Sequence, residues 1–283
     1  MTLNLSVDEV LTTTRSVRKR LDFDKPVPRD VLMECLELAL QAPTGSNSQG
    51  WQWVFVEDAA KKKAIADVYL ANARGYLSGP APEYPDGDTR GERMGRVRDS
   101  ATYLAEHMHR APVLLIPCLK GREDESAVGG VSFWASLFPA VWSFCLALRS
   151  RGLGSCWTTL HLLDNGEHKV ADVLGIPYDE YSQGGLLPIA YTQGIDFRPA
   201  KRLPAESVTH WNGWELAGVA VGAATAVKRV PAEAVAAWPA VCAVSVTGAG
   251  AACVAAAGGA MGAPGTAGTA ATAIAGVGVL AGQ

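Results

Sequence analysis

The 283-residue chain lacks most of the signatures of hydrolytic, metal-dependent or phosphoryl-transfer chemistry. No G-x-G-x-x-G follows a strand-like run, no Walker loop is present, and no G-x-S-x-G elbow appears. The five histidines show no ligand spacing. His107 and His109, two apart on a helical stretch, point to different faces, and His161 follows an apolar segment alone, a weak hint of a site. The six cysteines (Cys35, Cys118, Cys145, Cys156, Cys242 and Cys253) have neither metal nor redox spacing, and read as buried free thiols in a reducing compartment. Charge is sparse as well: 19% of residues are charged and the net charge is −3, which leaves no footprint for nucleic acid. The opening MTLNLSVDEV has acidic residues and no basic-then-apolar pattern, so no secretory leader is expected and the cytoplasm is the expected compartment.

One long uncharged run is present, within residues 129–159. Phe133, Trp134, Leu137, Phe138, Val141, Trp142, Phe144, Cys145, Leu146 and Leu148 fall on every side of a helical wheel. A helix apolar all round belongs inside protein or in a bilayer. Its serines, the interior Pro139 and the absence of a comparable second span favour a buried helix over 132–151 in a soluble protein. Arg149 and Arg151 suit its C-terminus, and Gly152 suits a left-handed cap. Burying such a helix takes a large domain or a second subunit, a first sign of a dimer.

Around it, Ser6 and Glu9 form a capping box that starts a helix with Val7, Val10 and Leu11 toward the core. Periodicity predicts a helix over 28–40, a strand over 51–57, and a helix from Asp58 to about residue 73. Residues 75–95, rich in Gly, Pro and charge, read as a mobile insertion or lid. A helix over 96–110, a buried strand over 111–119, a strand over 155–159, a helix over 164–174 and a strand over 185–192 follow. Mixed in this order, they predict a sheet covered by helices on both faces. The expected domain is 1–214. From about Ala234 onward no charged residue occurs, so 215–283 reads as a low-complexity tail: disordered, the product of a shifted reading frame, or a membrane tail interrupted by Pro239 and Pro264.

Three groups carry candidate chemistry. Arg15, Ser16 and Arg18 place two guanidinium groups and a hydroxyl within four residues, which is what a phosphate pocket needs and also what a solvated basic turn contains. Arg198, Lys201 and Arg202 form a second basic cluster after the last strand. Residues 44–49 offer hydroxyl and amide groups suited to the edge of a polar ring, although locally an ordinary turn explains them as well.

Taken jointly, TRSVR at 14–18, APTGSNSQGWQW at 42–53, SLFPAVWSFCLALRSRGLGSCWTT at 136–159, GLLPIAYTQGIDFRPAKR at 185–202 and HWNGW at 210–214 resemble the FMN-dependent nitroreductase family. The resemblance covers roughly residues 6–214. It implies an α+β, three-layer α/β/α sandwich with a mixed, mainly antiparallel central sheet and a long buried dimer-core helix. It also implies a homodimer with FMN at the interface, without membrane or nucleic-acid partner. Arg15, Ser16 and Arg18 would hold the phosphate and ribityl chain, with Thr14 where the family has a further basic residue. Pro43, Thr44, Gly45, Asn47, Gln49 and Trp51 match the loop that reaches the neighbour's flavin, with Gly50 in place of proline. Thr158, Thr159 and Leu160 match the segment whose backbone nears flavin N5, and Lys201 and Arg202 match the residues closing over the phosphate. The implied reaction is ping-pong hydride transfer from NADPH or NADH, through FMN, to a small electron-poor acceptor. Reductive dehalogenation, flavin destruction and FMN sequestration on the same fold are the alternatives.

Overall fold

The computed structural model describes residues 2–80, 82–84, 88, 90–122 and 127–214, which belong to one compact unit, Met1–Glu215. Its helices are α1 (Val7–Thr13), α2 (Arg29–Ala39), α3 (Ala59–Ser78), α4 (Met94–His107), α5 (Ala127–Ala135), α6 (Phe138–Ser150) and α7 (Gly166–Leu174). Its strands are β1 (Leu21–Asp22), β2 (Trp51–Val56), β3 (Val113–Lys120), β4 (Leu153–Ser155), β5 (Tyr181–Gln183) and β6 (Leu187–Thr192). The expected tail at 215–283 and part of the expected lid lie outside the described residues.

Strand β3 organises the sheet. Seven of its eight residues are buried, because apolar side chains leave both of its faces. Val113, Leu115 and Leu119 join a core with α2 and α6, whereas Leu114, Ile116 and Cys118 join one with α3 and α4. A strand covered on both sides reads as a continuous apolar run, which is how 111–119 reads in the sequence. The sheet order is β1-β6-β3-β2, with β4 also on β6 and β5 also on β3. All these pairings are antiparallel, and parallel contacts are confined to isolated bridges such as Ser16 with Ser155. The result is the expected α+β three-layer sandwich.

Several local expectations need correction. The Ser6–Glu9 capping box forms, with Ser6 Oγ accepting from Glu9 N at 3.2 Å. The helix it starts, however, turns Val7 (75% exposed) and Leu11 (51%) to solvent rather than to the core. Helix α3 runs on to Ser78, into the stretch assigned to a lid. The long apolar helix is two helices, α5 and α6, which break between Ala135 and Phe138 with Pro139 in the first turn of α6. In the single chain its circumference is open in part, with Trp142 42% exposed, as a helix awaiting a second subunit would be. The strand expected over 155–159 is β4, two residues earlier, because Gly152 turns left-handed (φ 73°) and Leu153 already pairs with Tyr191.

Candidate functional site

Thr14 ends α1, its N–H and hydroxyl both donating to Val10 O at 3.1 and 2.7 Å. The chain then runs extended beside β4, where Val17 N donates to Ser155 O at 2.8 Å. Alternation in this extended segment buries Val17 and leaves Ser16 exposed with Arg15 and Arg18 half-buried. Arg18 lies beside the Cys156 thiol and near Tyr69. Burial pushes the Cys156 pKa up, with Arg18 and Ser16 opposing the shift, so the thiol is no nucleophile.

The segment after β6 is held by arginines. Arg20 Nε donates to Gln193 O at 2.9 Å, Arg149 Nη2 to Ile195 O at 3.0 Å, and Arg15 to Arg198 O. Arg20 and Arg149 stack over Phe197, with guanidinium carbons 4.2 and 4.9 Å from the ring centre. Arg202 is exposed a short way on, close enough to act on Arg15. Burial, then the charges of Arg202, Arg93 and Arg20, hold the Arg15 pKa below its ordinary value. Arg93 belongs to the stretch assigned to a lid, so that stretch reaches the same cluster. Among the described residues, Arg15, Arg18, Arg149, Lys201 and Arg202 have no carboxylate within ion-pair distance. Arg15 Nε is buried without a hydrogen-bond partner.

Beside this cluster the turn at 157–162 is clamped from below. Trp157 Nε1 donates to Gly184 O at 3.0 Å, and Gly185 (φ 147°) passes so close that a Cβ there would sit 2.2 Å from that nitrogen. Only glycine fits. Thr158 pairs with Leu186 through both backbone groups, and its hydroxyl donates to Tyr69 Oη at 3.2 Å. Asn72 Nδ2 donates to Leu160 O and Leu163 O at 3.0 and 2.7 Å. Thr159 is left exposed and Leu160 half-buried.

The third group is tied to another part of the fold. Gly45 N donates to Ser136 Oγ at 3.0 Å, tying the loop to the α5–α6 break. Gln49 N donates to Thr44 Oγ1 at 3.2 Å, and Gln49 Nε2 to Asn47 Oδ1 at 2.9 Å. Ser46, Asn47 and Gln49 all take positive φ, near 50°. Pro43, Gly45, Asn47 and Gln49 are exposed and Thr44 is half-buried. Arg15, Ser16, Arg18, Thr158 and Arg202 thus gather on one side, with exposed Lys201 next to Arg202, while residues 43–49 make no described hydrogen bond to them. Sequence reasoning missed Arg149, Arg20, Tyr69 and Asn72. Arg149 was placed at a helix end for its charge, and nothing in its spacing says that it turns inward.

The profile of the Nitroreductase family matches residues 11–191. The NADH dehydrogenase of Thermus thermophilus is 27% identical over 212 residues, covering 70% of this chain and 91% of that protein. The iodotyrosine deiodinase of Thermotoga neapolitana is 30% identical over 152 residues, covering 51% of this chain and 69% of that protein. Among solved structures, an FMN- and NADPH-dependent nitroreductase from Sphigopyxis sp. strain HMH superposes with a TM-score of 0.54 at 25% identity, covering 74% of this chain and all of that one. With the matched stretch running from α1 through β6, the chain belongs to the nitroreductase family.

Proposed function

We propose that this chain is an FMN-dependent oxidoreductase that works as a homodimer. The observation that carries the reading is the cluster of Arg15, Arg18 and Arg202, without carboxylate partners among the described residues, beside a turn at 157–162 held by hydrogen bonds. Buried or crowded cations without a counter-charge are costly, and a bound phosphate would offset that cost. Ser16, exposed between the two arginines, is placed to meet the phosphate or the ribityl chain. Clamped from below by Tyr69, Asn72 and Gly184, the Thr158–Thr159–Leu160 backbone offers a fixed edge to a flat ring. Lys201 adds positive charge next to Arg202.

When bound, FMN supplies hydride transfer at N5, from NADPH or NADH to an electron-poor acceptor such as a nitroaromatic, a quinone or an activated alkene. The chain's own part is to hold the group, to keep the ring edge fixed and to shape the space above it. In a dimer, Pro43, Thr44, Gly45, Asn47 and Gln49 would serve the partner's site, which accounts for their making no described hydrogen bond to the arginines of their own chain. Anaerobic addition of NADPH or NADH should bleach the yellow protein, and a quinone should restore the colour. Colour that persists with both nicotinamides would overturn the reading in favour of sequestration. The deiodinase relative supports testing 3-iodotyrosine as an acceptor alongside nitroaromatics.

A further inference from the structure

Behind the Arg15–Ser16 segment lies a small void lined by Thr13, Thr14, Arg15, Arg149, Ser155 and Phe197, among others. Arg149 is the unusual member. It is only 5% exposed, yet its bonds go to neutral groups: Nε to Thr13 Oγ1 at 3.0 Å and Nη2 to Ile195 O. Its Nη1 is buried with no partner among the described residues, as is Arg15 Nε, and both residues line the void.

The carboxylates nearby are otherwise engaged. Glu9 accepts from Ser6 N at 2.7 Å in the capping box, and Asp196 pairs with Arg20 at 2.6 Å. Burial, then the charges of Arg20 and Arg15, hold the Arg149 pKa below its ordinary value, with Glu9 opposing only in part. Buried charge is normally matched by opposite charge, so this corner is short of an anion. The void gives the centre of a water-sized sphere about 10 Å³. That is room for one small particle and not for a phosphate group.

We infer that this void is a site for a single halide-sized anion, held by Arg149 Nη1–H, Arg15 Nε–H and the Ser155 hydroxyl. Such an ion would neutralise the inner side of the arginine cluster, where Arg149 and the Nε of Arg15 lie. The inference does not depend on flavin binding. Its test is therefore run on the protein as purified, with flavin content followed separately by absorbance.

Thermal unfolding is compared in sodium chloride, bromide and gluconate at constant ionic strength. A saturable rise in midpoint of about 2–4 °C over gluconate is expected for chloride and bromide. Arg149→Gln should abolish the difference between salts, and Arg149→Lys should keep part of it. Anomalous diffraction from crystals soaked in bromide should place one peak between Arg15 and Arg149. Equal midpoints in halide and gluconate, or no peak there, would mean that water alone fills the void, and would overturn the inference even if neither variant folds.

Discussion

Arg202 and Arg15 both belong to the cationic cluster, but they differ in what their removal should do. Arg202 is exposed and makes no described hydrogen bond, so its loss should leave the fold intact. Losing one charge-assisted contact costs about 1.5–3 kcal/mol, so Arg202→Ala should weaken FMN about ten- to a hundred-fold. Riboflavin, without the phosphate, should bind the variant nearly as well as the parent in a titration of flavin fluorescence; parallel losses would place Arg202 elsewhere. His161 is a different case. It is fully buried, neither ring nitrogen has a partner within hydrogen-bonding geometry, and burial pulls its pKa from 6.5 to about 3, with Gln183 beside it opposing. A depressed histidine stays neutral in the fold while the unfolded chain takes up a proton. Its contribution to stability is therefore intact above pH 6.5 and is lost as pH falls toward 3. The loss should approach ~1.4 kcal/mol per pH unit, or about 2 kcal/mol by pH 5. Urea unfolding at pH 7 and 5 should show that extra loss in the parent and not in His161→Asn. Composition and spacing pointed to the Arg15–Arg18 cluster because basic residues so close in sequence stay close in space. They could not show His161 buried or Arg149 turned inward, since both depend on contacts with distant segments.

Among the elements, legibility followed burial. Strand β3 was readable because both its faces are covered, and α2 because only one of its faces is, with Leu32, Cys35, Leu36 and Ala39 inward. β1 and β5 are two and three residues long and went unseen, because so short a strand has no period to detect. The α5–α6 break was hidden for another reason: Pro139 is compatible with the first turn of a new helix as well as with a bend in an old one. Strand β4 matters most to the site, since it carries Ser155 against the Arg15–Val17 segment. Gly154 makes that approach possible. A Cβ there would sit 2.7 Å from Thr192 Cγ2 and 3.0 Å from Val17 Cγ2, with Val17 Cβ itself 3.1 Å away. Gly154→Ala must therefore push the segment outward, at about 1–3 kcal/mol of stability. A lower unfolding midpoint together with weaker FMN retention is the expected outcome. A variant with the parent's midpoint and flavin content would show that this contact is slack.

At the scale of the whole molecule, several large apolar side chains of the described residues stand in water. Val131 and Trp142 project from α5 and α6, Val7 and Leu11 from α1, and Trp211 and Trp214 from the end of the described chain. Large apolar side chains left in water mark an interaction surface where they form one patch. A second copy is the occupant the proposed homodimer supplies, and residues 43–49 present polar groups to solvent and make no described hydrogen bond to the arginines of their own chain. Obligate interfaces resemble a core cut in half, with large aromatics near the centre. Trp142 is 42% exposed in the single chain and would be covered in the pair. Trp142→Asp should place an uncompensated carboxylate in that interface, at a cost of several kcal/mol. Since each FMN site would draw on both copies, loss of the dimer and loss of flavin should occur together. Sedimentation and the flavin-to-protein absorbance ratio test this on one sample. A soluble Trp142→Asp monomer that keeps a full complement of FMN would show that one chain builds the whole site, and the role given to residues 43–49 in the partner would fall with the dimer.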